Sequence, residues 1–266
     1  MSCAPASPVA RGFLFAMALL LFVGPVAAQE KPPIIVDDYG PWKRISSVVV
    51  SQDGEWMGWV QDRLEGEDSL YVRALDGEGA FSVPRGTAPA FSRDSRWVAY
   101  LVSPPEREGR RGTEATPAGA PPRGPGQRGG QGGGGAEGRT LVLRHLTAGD
   151  SVVFAGVASH SFPENTGLLL VRKRGPGNDA GYDGADLVVH DLVRGSSLNL
   201  GNVSEYSVNQ PGTHMAYLVD AKDDAGNGLY LLDLSSNAIT PLDTDQASYE
   251  DLTWDEDGER LAAFRA

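Results

Sequence analysis

A ten-residue pattern recurs along this chain, and a pattern that repeats at a regular interval restricts the fold more than any single motif does. Val50-Ser51-Gln52-Asp53-Gly54-Glu55-Trp56-Met57-Gly58-Trp59 aligns with Phe91-Ser92-Arg93-Asp94-Ser95-Arg96-Trp97-Val98-Ala99-Tyr100 and with Trp254-Asp255-Glu256-Asp257-Gly258-Glu259-Arg260-Leu261-Ala262-Ala263. Val208 to Tyr217 has the same layout, with Pro211-Gly212 at its turn, and a worn copy starts at Phe162. Each copy reads as the end of one strand, a polar turn, and a second strand of the apolar and aromatic type that packs on a sheet face. Successive copies begin 41, 71, 46 and 46 residues apart, so one interval is too long by one loop insertion.

The stretch Val208 to Leu234 shows what each repeat contains. After the cassette comes a polar break from Lys222 to Gly228, then the strand Leu229-Tyr230-Leu231-Leu232-Asp233-Leu234. Ser235-Ser236-Asn237 suits the turn into a fourth strand at Ile239 to Leu242. Four short antiparallel strands in about 40 to 45 residues make one blade of a β-propeller. The expected fold is therefore all-β, a propeller of four-stranded antiparallel blades. Strands are expected at Ser47 to Val50, Trp56 to Gln61 and Ser69 to Ala74, with turns at Asp53-Gly54 and Asp76-Gly77. The second blade is expected from Ala88 to Val102, completed by Thr140 to Leu146. The third runs from Phe162 to Leu198, with clear strands at Leu168 to Arg172 and Asp186 to Asp191, and the fifth begins at Leu252. The composition suits this, with 34 Gly and 18 Pro for turns and 41% apolar residues for a core.

The over-long interval has an evident source. Between residues 103 and 139 the strand pattern stops, and Gly, Pro and Arg take over from Gly112 to Gly138. A segment with so few apolar side chains cannot offset its ordering entropy and is expected to be a disordered loop within the second blade. It contains Gly124-Pro125-Gly126-Gln127-Arg128-Gly129, a literal G-x-G-x-x-G. No strand leads in, no helix follows and a proline sits inside, so a dinucleotide site is rejected. Arg128-Gly129-Gly130 is one triplet of an RNA-binding type in an acidic protein, which is too little to indicate RNA.

Residues 1–28 have the layout of a secretory signal: Arg11, the apolar run Phe13 to Val23, and Val26-Ala27-Ala28 before Gln29. The expected product is exported, periplasmic or extracellular, with one partial propeller over 29–266. Cys3 is the only cysteine, so removal of the signal leaves none for disulfides or cysteine-based zinc sites. The formal charge is −12, and −13 without Arg11. That balance argues against nucleic acid and anionic membranes as partners.

Catalytic constellations are absent from the sequence. There is no G-x-S-x-G elbow, and His145, His160, His190 and His214 stand singly, without metal-ligand spacing. They read as strand or packing residues. Asp220, Asp223 and Asp224 depart from calcium-loop spacing and read as a polar hairpin tip. Arg172-Lys173-Arg174 reads as a solvated strand end, and Trp56, Trp59, Trp97 and Trp254 as blade-packing residues. No catalytic, cofactor-binding or metal residue is assigned, no cofactor is expected, and a self-contained lyase or glycosidase lacks the carboxylates it would need.

The cassettes at Ser51 to Trp56, Ser92 to Trp97 and Asp255 to Arg260 resemble the S-x-D-G-x-W repeats of TolB-like propellers. With the leader Asp38-Tyr39-Gly40-x-Trp42, the pair Ala216-Tyr217 and Gly228-Leu229-Tyr230, and Thr240-Pro241-Leu242-Asp243-Thr244, the chain resembles the N-terminal propeller of exported bacterial prolyl oligopeptidase-type serine peptidases. The resemblance implies a propeller that admits peptides to an α/β-hydrolase domain carrying a Ser, Asp and His triad. No triad residue carries over to this sequence, so activity of this chain alone is not expected. About 200 residues outside the signal and loop allow four to five blades. The expectation is an incomplete ring of about four and a half blades, with the hydrolase domain beyond Ala266 and poor solubility from the open edge at Leu261 to Arg265. The alternative is a non-enzymatic periplasmic TolB-like propeller that binds a protein partner.

Overall fold

The computed structural model describes residues 42–63, 66–77, 79–105, 138–177, 180–245 and 247–265. The signal-like segment, Cys3, the leader residues 37–41 and residues 106–137 of the Gly/Pro/Arg insertion lie outside them. The described residues form antiparallel strands, with one 3-10 turn at Lys222–Asp224. Among them no helix is long and apolar enough to cross a membrane.

The strands fall into blades of four. Blade 1 is β1 (Lys43–Val50), β2 (Trp56–Arg63), β3 (Ser69–Ala74) and β4 (Ala80–Pro84), in that spatial order. Blade 2 is β5 (Gly86–Phe91), β6 (Trp97–Val102), β7 (Arg139–His145) and the first half of β8 (Ser151–Ser161). The second half of β8 opens blade 3, followed by β9 (Leu168–Lys173), β10 (Ala185–Asp191) and the first half of β11 (Ser197–Val208). The rest of β11 opens blade 4, with β12 (His214–Val219), β13 (Gly228–Asp233) and β14 (Ile239–Asp243). Blade 5 shows β15 (Tyr249–Trp254) and β16 (Leu261–Arg265).

The sharing of β8 and β11 corrects the expected blade limits. Thr140 to Leu146 does not complete blade 2, because Ser151 to Phe154 pairs outside it, and blade 3 starts at Val157 rather than Phe162. The outermost strand of one blade runs straight on as the innermost strand of the next. At that point the register shifts and one residue turns left-handed, Gly156 in β8 and Asn202 in β11. Continuous strands of 11 and 12 residues hide a blade boundary that a search for turn residues looks for elsewhere. The insertion begins and ends as a hairpin, with Val102 paired to Thr140, and Arg139 belongs to β7 rather than to the loop.

The second strand of each blade explains the core. Trp97 to Val102 and Leu168 to Val171 are apolar without alternation, because both faces of a blade are covered by neighbours. Val98 and Tyr100 pack with Val60, Leu70 and Val72 of blade 1, while Ala99 and Leu101, which alternate with them, face Val157, Leu169 and Val171 of blade 3. Leu168 and Leu170 turn to Met215 and Tyr217 of blade 4, whose Ala216 and Leu218 turn to Tyr249 and Leu252 of blade 5. The core is thus a series of inter-blade layers, each buried Leu or Val contributing roughly 1.5–3 kcal/mol.

Candidate functional site

Each blade has two ends of different character. At one end lie the turns joining its first and second strands and its third and fourth, which we call the turn rim. The two turns are tied together, since Leu75, Leu146, Leu192 and Leu234 donate their N–H to the carbonyls of Glu55, Arg96, Gly167 and Thr213.

The recurring cassette forms the first of these turns by one mechanism. The N–H of Ser51, Ser92, Asn209 and Asp255 donates to the carbonyl five residues on, and the N–H of Gly54, Ser95, Gly212 and Gly258 donates back to the first residue's carbonyl. The fourth residue is left-handed in each, which favours Gly. The first residue's side chain completes the turn: Ser51 Oγ donates to Asp53 Oδ1 at 2.5 Å and accepts from Trp56 N at 2.9 Å, and Ser92 does the same with Asp94 and Trp97. In blade 3 Pro163 takes that first position, and without an N–H it cannot close the turn. That is why the copy beginning at Phe162 looks worn.

Neighbouring turns are then joined blade to blade. Asp53 N–H donates to Ser95 Oγ at 3.1 Å, Arg93 pairs with Glu164, Asn165 Nδ2 donates to the Gln210 carbonyl at 2.8 Å, and Asn209 Nδ2 donates to that of Gly258 at 3.3 Å. On the inner strands, Glu205 Oε1 accepts Leu252 N–H at 3.1 Å and Trp254 Nε1 donates to the Ser207 carbonyl at 3.1 Å.

The opposite loop rim carries the irregular segments: the described ends of the 103–138 insertion, 174–184 and 220–227. It too has a repeated fastening. Arg85, Gly156 and Asn202 are left-handed residues at successive crossovers, and their carbonyls accept the N–H of Ser103, Arg174 and Asp220 just past the second strand of the next blade. Of the basic cluster, Arg172 donates to the Ser204 carbonyl at 2.8 Å and Lys173 to that of Ala155 at 2.5 Å. These two residues brace the crossovers and are half-buried rather than freely solvated, while Arg174 is exposed. Asp220 Oδ2 accepts Asp183 N–H at 2.6 Å, joining the loops of blades 3 and 4. Beside this joint is a polar cleft of about 300 Å³ lined by Lys173, Arg174, Tyr182, Asp186 and Asn202. It combines two cations, a carboxylate, a phenol and an amide, so it offers both donors and an acceptor to a polar group such as a peptide. A second cleft of about 340 Å³ lies on the turn-rim side between the inner strands of blades 3 and 4, with Glu164, Leu170, Tyr206 and Asn209 at its wall.

The four histidines stay apart. His145 caps its own turn through Nδ1, which accepts Ala148 N–H at 3.1 Å, and meets Trp97 edge to face. His160 lies on β8, where burial, with Arg139 adding to it, lowers its pKa to about 4. His190 is buried against Phe154 and Ser197 Oγ, and His214 Nδ1 meets Thr213 Oγ1 at 2.9 Å. Asp223 and Asp224 sit on the 3-10 turn, where Asn227 Nδ2 donates to Asp224 Oδ1 at 3.2 Å. Among the described residues no group of three His, Cys, Asp or Glu is placed to hold a metal. Trp56, Trp97 and Trp254 pack between blades, whereas Trp59 stacks on Tyr71 on the face of blade 1 turned away from blade 2.

The class defined by this arrangement is a β-propeller of four-stranded blades. No protein family model matches the chain, and no curated protein does. Solved structures are similar in fold. The β-propeller domain of the Trilobed protease from Pyrococcus furiosus is 10% identical, with a TM-score of 0.45 over 76% of this chain and 58% of that one. Acylaminoacyl peptidase from Pyrococcus horikoshii is 12% identical, with a TM-score of 0.42 over 84% of this chain and 35% of that one. TolB from Acinetobacter baumannii is 12% identical, with a TM-score of 0.38 over 82% of this chain and 48% of that one. The chain thus spans about a third to somewhat over half of their lengths, and the propeller assignment rests on the blades themselves.

Proposed function

We propose that this chain is the propeller portion of an exported prolyl oligopeptidase-type serine peptidase, where it admits and selects peptides for a hydrolase domain of the same polypeptide. The hydrolase would supply nucleophile, base and oxyanion hole. The observation that supports this reading is the Ser-x-Asp-(Gly/Ser)-x-Trp turn, built identically at Ser51 and Ser92 and echoed at Asn209 and Asp255. Arg174 and Asp186 in the loop-rim cleft offer a donor and an acceptor to the backbone of a short peptide.

The test is to read the coding sequence past codon 266 and to assay the whole product. A frame continuing into a G-x-S-x-G hydrolase, with peptidase activity abolished by replacing that serine, supports the proposal. A stop, or further blades alone, removes the peptidase reading and leaves the partner-binding TolB-like propeller. Export is tested separately by fusing residues 1–28 to a reporter that is active only outside the cytoplasm. A silent fusion would remove the periplasmic or extracellular location without touching the peptidase reading.

A further inference from the structure

The apolar layer between blades 2 and 3 carries two histidines. His160 pairs in register with Val171, and His190 lies two residues beyond Val188, and both valines belong to that layer. Both imidazoles therefore face blade 2. His160 meets the carbonyl of Ala99, while His190, 3% exposed, meets the edge of the Phe154 ring at 5.5 Å and Ser197 Oγ at 2.8 Å. His145 stands at the turn-rim edge of the facing blade 2 surface, beside Trp97. The charges around the two histidines do not offset a proton. Arg139 reaches across from blade 2 to the Ala158 carbonyl at 3.1 Å, and Lys173 lies 5.9 Å from the centre of the Phe154 ring that covers His190. The acidic groups of blade 3 are engaged elsewhere: Asp191 accepts the N–H of Val193 and Arg194 and pairs with the Arg194 side chain, Asp186 accepts from Asn199 Nδ2, and Glu164 pairs with Arg93. An imidazolium in this layer is desolvated and set beside cations.

The same layer is lightly fastened. At the turn rim blades 2 and 3 are tied by the exposed Arg93–Glu164 ion pair, of a kind that contributes little and is screened by salt, where blades 4 and 5 share the buried bond from Asn209 to Gly258. The crossover between them turns at Gly156, whereas the crossovers before and after it turn at Arg85 and Asn202, and a Cβ on Gly156 would meet nothing within 4 Å. Glycine gives this crossover the freedom of a hinge. The bond from Arg174 N–H to the Gly156 carbonyl keeps the loop-rim end joined. We propose that this layer is an acid-operated seam: protonation of His160 and His190 parts blade 3 from blade 2 at the turn rim, about Gly156, while the sheets of both blades stay intact. This rests on the fold alone and not on the peptidase reading.

Val98 and Ala99 make the test possible, because they are adjacent on β6, both 0% exposed, and face blade 1 and blade 3 respectively. Ala99→Cys and Val98→Cys are made separately in the full chain carrying Cys3→Ser. Each is labelled with a pyridyl disulfide at pH 7 and pH 5, and the rates are divided by those of a free thiol. With a pKa of about 4 in the closed seam and 6.5 in water, His160 alone raises the open fraction about twentyfold between pH 7 and pH 5. The expected result is a rise of that order at Ala99→Cys and none at Val98→Cys, reduced to about threefold or less by His160→Gln with His190→Gln. Equal rises at the two positions mean that blade 2 itself unfolds, and overturn the proposal. So does no rise at Ala99→Cys, or a rise that the histidine variants leave unchanged. Should Ala99→Cys fail to fold, Leu143→Cys reads the same layer, and His160→Gln alone serves if the double variant does not fold.

Discussion

Asn209 Nδ2 donates to the carbonyl of Gly258 at 3.3 Å, so one side chain fastens the turn of blade 4 to that of blade 5. The same residue's Oδ1 accepts the N–H groups of Thr213 and His214, both at 2.9 Å, and Asn209 is 5% exposed. Asn209→Ala leaves two N–H groups and a carbonyl without partners and is expected to cost about 2–3 kcal/mol. Asp255→Ala removes a similar cap from an exposed turn and is expected to cost about 1 kcal/mol or less. Denaturant midpoints of the two variants check the difference.

Gly258 and Gly54 hold the same turn position with φ of +70° and +74°, yet their surroundings differ. A Cβ on Gly258 would stand 2.7 Å from Pro211 Cδ and 2.8 Å from the Gln210 nitrogen, while one on Gly54 meets nothing within 4 Å. Gly54→Ala should cost about 1 kcal/mol, the left-handed strain alone. Gly258→Ala should cost several times that, because the blade 4 turn must also move. Equal losses for the two variants would contradict the inter-blade contact.

Burial lowers the pKa of His160 to about 4 from 6.5, the carbonyl of Ala99 partly opposing this and Arg139 adding to it. The unfolded chain therefore binds the proton that the folded chain refuses between those values. Stability should fall as pH drops from about 6.5 to about 4, by an amount on the order of 2 kcal/mol from this residue. His190, also lowered chiefly by burial, acts in the same direction below 6.5. Asp53 and Asp233 act lower. Hydrogen bonds, first those of the Ser51 and Ser235 hydroxyls, hold their carboxyls below the usual 3.8, so what they contribute is lost only as pH falls below that range. Thermal melts at pH 7 and pH 5 check this: His160→Gln should narrow the gap between them.

Leu170 is 1% exposed between blades 3 and 4, next to Met215 and Tyr217. Leu170→Ala should cost about 2–5 kcal/mol through lost burial and the cavity left behind. Leu242→Ala on the outer strand β14, where Leu242 is 48% exposed, should cost well under 1 kcal/mol. Chemical denaturation of both variants distinguishes a core made of inter-blade layers from one spread over the strands.

Much of the fold was legible because its signals are local. The cassettes mark the turn-rim hairpins, and the runs at Trp97 and Leu168 mark strands covered on both faces. A second, fainter repeat lies in the His145-Leu146-x-x-Gly149, Asp191-Leu192-x-x-Gly195 and Asp233-Leu234-x-x-Asn237 turns between third and fourth strands, of which only the last has turn residues plain enough to read from sequence. In each the first residue's N–H donates to the carbonyl five residues on, and the last is left-handed. The blade limits inside β8 and β11 were missed because Gly156 and Asn202 interrupt the register without interrupting the strand. The loop-rim cleft was not legible either. Lys173 and Tyr182 come from one blade and Asn202 from the crossover to the next, and nothing in their spacing brings them together.

What the sequence by itself determined is the repeating unit: an apolar pattern of short strands and a self-capped turn whose hydrogen bonds close within six residues. What only the tertiary structure decided is which neighbour each face meets. Tyr100 and Leu101 are adjacent in the chain and both apolar, yet one packs on blade 1 and the other on blade 3, and Trp59 is only half-buried although its counterparts Tyr100 and Tyr217 are buried. The physical reason is that strand pairing and turn closure are short-range, whereas burial depends on the blade alongside, which the local sequence does not encode.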